Sequence, residues 1–181
     1  MSQNQIINSN TVYRGKIINL RLDTVIDADN HESIREIVEH SHCIAVVAID
    51  ENDRVLLVRQ FREAIGKTLL EIPAGGIESG EEPAQAMQRE LREETGYQAN
   101  HICKMGGFYS SPGYSTEYLH LYLATGLQEA PLYAEDTSEI ELIRIPIQEI
   151  SRLIASGEIS DAKSIAGLLF ILKQCYSDES K

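Results

Sequence analysis

The chain has 181 residues, 43% of them hydrophobic, and a formal net charge of -12. This length can bury one sizeable core without requiring a second domain. The negative charge argues against a protein that binds nucleic acid or an anionic membrane through a basic surface, so a phosphate-bearing ligand would need local arginines or bound cations.

Neither end of the chain has the pattern of a membrane or export segment. The longest apolar run near the C-terminus, AGLLFIL, is far shorter than the roughly 18 to 20 residues that span a bilayer. The first ten residues, MSQNQIINSN, lack the basic start and apolar core of a signal peptide, so we expect a cytoplasmic protein with no membrane partner. Three widely spaced cysteines, Cys43, Cys103 and Cys175, favour reduced and buried thiols over a disulfide framework or a zinc site.

Three short segments before residue 41 are rich in β-branched residues and partly alternate, which predicts half-exposed strands: TVYRGKI, LRLDTVID and IREIVEH. Residues 1–10 and 177–181 are polar, and we expect them to be loose. The only plausible boundary lies near residue 41, where the half-polar strands give way to a continuous core. We therefore divide the chain into an N-terminal strand region, 1–40, and a main domain, 41–181.

The main sheet is predicted to begin with two apolar runs, CIAVVAID and RVLLVRQF, and the acidic turn between them predicts a hairpin. Four further segments have the composition of strands: TLLEI, ICKMGGFY, EYLHLYLAT and EIELIRI. Two amphipathic patterns at the end, IQEISRLIASG and DAKSIAGLLFILKQCY, predict helices. The predicted order is strands, one helix, strands and two helices.

The single helix lies in the stretch PAGGIESGEEPAQAMQRELREETGY, which holds an unusual number of carboxylates between two glycine-bearing turns. Ser79 and Glu82 form a Ser-x-x-Glu capping pattern, and Pro83 suits the first helical turn. Gly96 follows the last periodic residue and predicts the C-terminal end of the helix.

The helical periodicity places carboxylates beside the apolar face. Ala84, Met87 and Leu91 share one stripe that we expect to face the sheet, and Glu90 and Glu94 lie on its edge. Like charges at these spacings destabilise a helix by about 0.2 to 0.5 kcal/mol per pair, so something should neutralise them.

Two explanations of the acidic helix remain open from spacing alone. A solvated acidic face is what most charge runs are. Alternatively, hard divalent cations such as Mg²⁺ or Mn²⁺ bind carboxylate, carbonyl and water oxygens, and the preceding PAGG turn could offer a carbonyl. In either case Arg89 is placed to pair with Glu93, four residues later, and Glu81 can approach from the preceding turn.

The same residues resemble a known family. Gly75, five residues, Glu81, seven residues, and then RELREETGY reproduce the Nudix box, Gly-x5-Glu-x7-Arg-Glu-U-x-Glu-Glu-x-Gly-U, from Gly75 to Tyr97 without a gap. The resemblance implies an α/β fold, an α/β/α sandwich with a mixed sheet, with which the predicted order agrees. It also implies a hydrolase that uses Mg²⁺ or Mn²⁺, two or three ions per site, to cleave nucleoside diphosphates linked to another group.

The resemblance transfers roles to individual residues of the box. By position, Arg89 orients the carboxylates, Glu81 is the first box glutamate, and the Ala74 carbonyl and three glutamates bind metal: Glu90, Glu93 and Glu94. Arg89 and Glu93 are therefore predicted catalytic residues. Cations held there would screen the pyrophosphate charge and activate water.

The flanking segments resemble the bacterial ADP-ribose pyrophosphatase subfamily from about Tyr13 to Cys175, including Pro112, sixteen residues after Gly96. That match implies substrate-lining residues: Arg35, Glu36, Arg62, Ser111, Pro112, Gly113 and Glu117. Without the resemblance these would be surface residues, an exposed pair and a plain turn. His40 could touch substrate from the end of its strand, whereas His40 and His42 are poor ligands for hard cations.

The general base is expected on the acidic loop YAEDTSEIEL, because the resembled enzymes place an acidic residue before the last strand. We predict Asp136 as the base, on the loop tip, and Glu139 as an additional metal contact at the strand edge. A solvated acidic loop is an equally valid interpretation of this segment.

Three functions are consistent with the sequence. The first is hydrolysis of ADP-ribose to AMP and ribose 5-phosphate, the second is hydrolysis of another nucleoside diphosphate sugar, and the third is a non-catalytic nucleotide sensor, which the complete box disfavours. The resembled enzymes are homodimers that exchange N-terminal strands, so we expect a homodimer in which Arg35 and Glu36 complete a site across the subunit boundary. The alternative is a monomer.

Overall fold

A computed structural model describes residues 5–134 and 139–178 of the chain, without the side chains of 174–178. The chain divides into two compact units, Met1–His42 with Tyr109–Tyr118, and Cys43–Phe108 with Leu119–Lys181.

The first unit contains an antiparallel three-stranded sheet in the order β1-β2-β3. Its strands are β1 (Gln5–Arg14), β2 (Ile18–Ile26) and β3 (Glu32–His40). Residues 5–10 were expected to be loose, and this expectation was wrong, because their backbone pairs with β2 from Gln5, opposite Ile26. The predicted strand over residues 11–17 instead ends at Arg14, where Gly15 donates its N–H to the carbonyl of Ile18 in a turn.

The second unit is built on a seven-stranded sheet with the order β10-β5-β4-β9-β8, to which β6 and β7 add at β5 and β4. The bounds are β4 (Cys43–Ile49), β5 (Arg54–Arg62), β6 (Lys67–Glu71), β7 (Ala74–Gly76), β8 (Tyr97–Tyr109), β9 (Tyr118–Glu129) and β10 (Glu141–Pro146). β4 pairs with β9 in parallel and with β5 and β7 antiparallel. The sheet is therefore mixed, as predicted, and the expected hairpin forms between β4 and β5.

Within the described ranges, three α-helices cover the sheet: α1 (Pro83–Thr95), α2 (Ile150–Ala155), which follows a 3-10 turn (Ile147–Glu149), and α3 (Ala162–Asp178). Successive side chains of a strand point to opposite faces of the sheet. On β4, Ala45 and Val47 pack in one buried cluster with α2 and α3, whereas Ile44 and Val46 pack in another with α1. The helices thus lie on both faces, which confirms the predicted α/β/α sandwich.

The described cysteine side chains differ in their exposure. Cys43 is buried as expected, but Cys103 is exposed on β8, so the prediction of a buried thiol was wrong there, and the side chain of Cys175 lies outside the described residues. Among the helices of the described ranges, none has the length and apolar character needed to cross a bilayer.

Candidate functional site

The acidic helix α1 begins later than the predicted cap. Its N-cap is Glu82 rather than Ser79, and a capping box forms in which the Gln85 side chain accepts the N–H of Glu82. Pro83 occupies the first turn, as predicted. The helix ends at Gly96, whose φ of 78° lies in the left-handed region that favours glycine.

The buried face of α1 includes two carboxylate positions. Met87 and Leu91 are buried as predicted, but Ala84 is exposed and Ala86 is buried in its place. Glu90 and Glu94 follow Ala86 by four and eight residues, so they project from the same side of the helix toward the sheet. The carboxylates therefore lie on the packed face rather than merely at its edge.

One guanidinium organises the acidic cluster. Arg89 donates from Nε and Nη2 to the two carboxylate oxygens of Glu81, each at 3.0 Å. Its Nη1 donates to Glu90 at 2.7 Å and to Glu93 at 3.1 Å. Nη2 also donates to the carbonyl of Gly76 at 2.8 Å, which ties the helix to β7. The expected contacts of Arg89 with Glu93 and Glu81 are present.

The pKa values of the cluster reflect these contacts. Hydrogen bonds from Arg89, together with the N–H of Glu78, hold the pKa of Glu81 below its ordinary value. The fourth carboxylate, Glu94, accepts the N–H of Ala74 at 3.0 Å. Burial, and then the charge of Glu90, raise the pKa of Glu94 to about 8. The cluster therefore contains a carboxylate that the protein alone does not stabilise in its ionised form.

Gly75 has a steric reason to be glycine. A Cβ at this position would lie 2.0 Å from Cδ of Glu90, whereas a Cβ on the adjacent Gly76 would meet no atom within 4 Å. Gly75 pairs with Ile44 of β4, and the atoms nearest to a Cβ on Gly75 are those of the Glu90 carboxylate. The missing side chain of Gly75 is what gives Glu90 its space.

The donor set fits hard divalent cations. Arg89 contacts three of the four carboxylates, and if all four were ionised the group would hold an excess of three negative charges. Carboxylate oxygens are the ligands that Mg²⁺ and Mn²⁺ prefer, and such an ion would favour the ionised form of Glu94. The backbone of Ala74 is adjacent, since its N–H already contacts Glu94.

A second charged cluster lies next to the first and was not predicted. Arg62, a predicted substrate residue, donates from Nε and Nη2 to the carboxylate of Glu71, at 2.9 and 2.6 Å. Lys163 contacts the same carboxylate and also Asp161, the latter at 2.9 Å. Glu71 is only 1% exposed. The sequence hinted that Glu71 is buried only through the apolar residues beside it in TLLEI. Nothing in the sequence predicted that Glu71 pairs with the distant Lys163.

The remaining predicted substrate residues belong to the first unit. The segment of residues 111–117 contains Ser111, Pro112, Gly113 and Glu117, and it joins β3 through a parallel bridge between Val38 and Ser115. The hydroxyl of Thr116 accepts the N–H of His40 at 3.0 Å, and His40 Nδ1 lies 4.0 Å from the Glu117 carboxylate. Arg35 and Glu36 are exposed on β3 itself. The structure thus brings these predicted residues onto one strand and its neighbour.

The predicted loop acids are only partly described. Asp136 lies outside the described residues, so the structure does not test its predicted role as the base. Glu139 is an exposed residue in the turn before β10. Their roles remain predictions.

Comparison with known proteins places the chain in a family. A NUDIX domain model matches residues 40–168. An ADP-ribose pyrophosphatase of Bacillus subtilis is 35% identical over 162 residues, covering 88% of each chain. One of Mycobacterium tuberculosis is 37% identical, covering 92% of this chain and 82% of its own. A methanol dehydrogenase activator of Bacillus methanolicus is 32% identical, covering 95% and 94%.

The fold agrees with this match. A solved structure described as an ADP compounds hydrolase aligns with a TM-score of 0.90 over 98% of this chain and 97% of its own, at 19% identity. At that identity the likeness shows the fold alone. The family model and the relatives cover the complete box, the Arg89 cluster and the sheet that supports them, and the chain therefore belongs to the Nudix hydrolase family.

Proposed function

We propose that the chain hydrolyses the pyrophosphate bond of ADP-ribose to give AMP and ribose 5-phosphate. The observation that carries this proposal is the acidic cluster at α1, in which one arginine contacts three carboxylates and a fourth, Glu94, lies beside them with a raised pKa. Support for the substrate comes from the two ADP-ribose pyrophosphatases that cover most of the chain.

We propose that divalent cations are held by the carbonyl of Ala74 and by three carboxylates: Glu90, Glu93 and Glu94. Mg²⁺ is the preferred ion and Mn²⁺ the alternative, with two or three ions per site. When bound, such ions supply charge neutralisation for a pyrophosphate and a lower pKa for bound water. The chain itself contributes order: Arg89 fixes the rotamers of Glu90 and Glu93, and the Ala74 N–H fixes Glu94.

The substrate contacts are proposed from the resemblance and from their chemistry. The fork of an arginine suits phosphate oxygens, which favours Arg35 and Arg62, and carboxylates suit ribose hydroxyls, which favours Glu36 and Glu117. Ser111, Pro112 and Gly113 are proposed as further substrate contacts. We further propose that Asp136 takes the proton of the attacking water and that Glu139 adds a metal contact.

A substrate panel tests this function. We expect AMP release from ADP-ribose in Mg²⁺ or Mn²⁺, and at least ~100-fold lower kcat in Glu94→Gln, since a group that acts in the transition state is lost. GDP-mannose, ADP-glucose, NADH and diadenosine polyphosphates form the comparison set. If the enzyme prefers another nucleoside diphosphate sugar, the proposed reaction type stands but the assignment of ADP-ribose as the substrate is rejected. Full activity in excess EDTA would reject the metal proposal.

We propose residues 1–40, which supply the three strands of the first unit, as a dimerisation region that precedes a catalytic domain of residues 41–181. Its strands expose five large apolar side chains, Ile6, Ile7, Val12, Tyr13 and Ile34, and Ile17 is exposed in the turn between β1 and β2. Exposed apolar area of this kind marks an interaction surface. We propose that a second copy of the chain covers it in a homodimer with exchanged N-terminal strands, burying more than ~2,000 Å².

Complementation tests the exchanged arrangement. If each site uses Arg35 from one subunit and Glu94 from the other, mixing Arg35→Ala chains with Glu94→Gln chains should restore activity in heterodimers. Sedimentation of the wild type as a monomer at micromolar concentration, or inactive heterodimers, would refute the shared site.

A further inference from the structure

The charged cluster formed by Arg62, Glu71, Asp161 and Lys163, here called the Glu71 cluster, unites three distant parts of the chain. Arg62 ends β5, Glu71 ends β6, and Lys163 lies in the first turn of α3. Glu71 receives two hydrogen bonds from Arg62 and one from Lys163. A single carboxylate therefore determines where two cationic side chains are held.

Stability alone does not explain this arrangement. Burial opposes the ionisation of Glu71, but the hydrogen bonds and charges of Arg62 and Lys163 outweigh it and hold the pKa of Glu71 below its ordinary value. Ion pairs that are buried this deeply add little stability compared with well-packed apolar residues of the same volume. An ionic cluster does, however, hold its charged groups in fixed positions, which apolar residues cannot do.

The backbone links the Glu71 cluster to the acidic helix. Glu71 precedes Ala74 by three residues, and the N–H of Ala74 holds Glu94. Between them, the N–H of Ile72 is accepted by the buried hydroxyl of Ser164 at 2.8 Å, which fixes this segment to the start of α3. Arg62 and Lys163 both act electrostatically on Glu94. The two cations therefore lie beside the carboxylates that we propose to bind metal.

Arg62 retains a donor for a ligand. Its Nε and Nη2 are used by Glu71, its side chain is 37% exposed, and Nη1 has no hydrogen-bond partner among the residues that the structure describes. A guanidinium held by two parallel hydrogen bonds on one edge presents its free edge in a fixed direction.

We propose that Glu71 is a positioning residue: it holds Arg62, with Lys163 as the second cation, so that Nη1 of Arg62 meets a phosphate oxygen of a ligand bound at the acidic cluster. The proposal rests on the proposed function for its substrate, but its chemistry concerns any pyrophosphate. Glu71 itself touches neither substrate nor metal and acts through Arg62.

A double-mutant cycle tests this dependence. Glu71→Gln keeps the shape of the side chain but removes the charge that orients Arg62, and Arg62→Ala removes the donor. We expect each single variant to raise KM for ADP-ribose about tenfold, as for loss of a charge-assisted hydrogen bond, with a smaller change in kcat. The double variant should resemble Arg62→Ala within about twofold, because the two residues act through one contact.

Two further measurements separate positioning from folding. Thermal melts of each variant establish the folded fraction, and Asp50→Asn is the matched control, because Asp50 is a nearly buried carboxylate that pairs with Arg54 at the other end of β5. This control should lose stability without changing KM. A Glu71→Gln protein that is less stable but has wild-type KM would show that Glu71 is only structural. The proposal would also be overturned if the increase in KM in the double variant equalled the product of the increases in the two single variants.

A binding assay keeps the test independent of the substrate. Inorganic pyrophosphate with Mg²⁺ is titrated into each folded variant by calorimetry, and Glu71→Gln and Arg62→Ala should both weaken its binding about tenfold, non-additively. If the wild type fails to cleave ADP-ribose but this pattern holds, the substrate assignment fails and the positioning role stands. Equal pyrophosphate affinity in wild type and Glu71→Gln would refute the positioning role.

Discussion

Replacing Glu94 by glutamine should stabilise the metal-free protein at high pH while inactivating the enzyme. Glutamine has the shape of glutamate and can still accept the N–H of Ala74, but it cannot ionise. In the folded wild type the pKa of Glu94 is about 8, against 4.5 for an ordinary glutamate. The folded state therefore keeps a proton that the unfolded state has already lost.

The sign and size of the effect follow from this difference. Between about pH 4.5 and pH 8 the folded wild type binds more protons at Glu94 than the unfolded chain, so the free energy of unfolding falls as pH rises and stays low above pH 8. The full pKa difference corresponds to roughly 5 kcal/mol. Since Glu94 is partly exposed and solvent screens part of this cost, we expect a difference of about 2 to 3 kcal/mol.

The assay is chemical unfolding of both proteins in EDTA from pH 5 to pH 9. The stabilities should converge at pH 5, and Glu94→Gln should become the more stable protein by pH 9. The expected gain at pH 9 is about 2 to 3 kcal/mol in the free energy of unfolding, which a parallel thermal melt should show as roughly 4 to 12 °C in Tm for a chain of this size. Mg²⁺ should then favour the wild type, because it binds the ionised carboxylate. Parallel stability curves for the two proteins across this pH range in EDTA would refute the strain that we infer at Glu94.

Three further predictions concern the two glycines before α1, Arg89, and the proposed loop acids. Gly75→Ala should fold, because its new methyl group meets the end of the Glu90 side chain rather than backbone, but kcat should fall by roughly tenfold or more as that carboxylate is displaced. Gly76→Ala should stay active, and equal kinetics of the two variants would contradict the steric role of Gly75. Arg89→Lys keeps the positive charge but loses the forked guanidinium that contacts several carboxylates at once, so kcat and metal affinity should both fall. Unchanged metal titrations would show that metal binding does not need Arg89 to order the carboxylates. Asp136→Asn should lower kcat with little change in KM, and Glu139→Gln should raise the metal concentration needed for activity. Wild-type behaviour of both variants would indicate that this loop is only a solvated acidic segment.

Local chemistry made much of the fold predictable. The apolar runs on either side of Asp50–Asp53 are short-range signals, and they gave the β4–β5 hairpin. Pro83 and Gly96 act within one helical turn, and they correctly predicted the first turn and the C-terminal end of α1, whereas the Ser79 cap was predicted three residues too early. By contrast, β1 is almost entirely exposed, so its start depends on backbone pairing with β2 rather than on any apolar pattern.

The errors at the site have a different cause. Ala84 and Ala86 are chemically identical, and only packing against the sheet decides which of them is buried, so the phase of the helix could not be settled from periodicity. Lys163 and Glu71 are 92 residues apart, and their contact depends on where α3 starts relative to β6. Long-range pairings of this kind leave no signal in a single sequence.

The parallel pairing of β4 with β9 also governs how the chain reaches its folded state. Parallel neighbours require a crossover, and here the crossover contains β5, β6, β7, α1 and β8. Contacts across such a long loop form only after its closure entropy has been overcome, which slows folding. The acidic helix is part of that loop, so its carboxylates gather only as the central sheet closes. An unfolded chain consequently offers no formed cation site, and divalent ions should act mainly by slowing unfolding rather than by nucleating the fold.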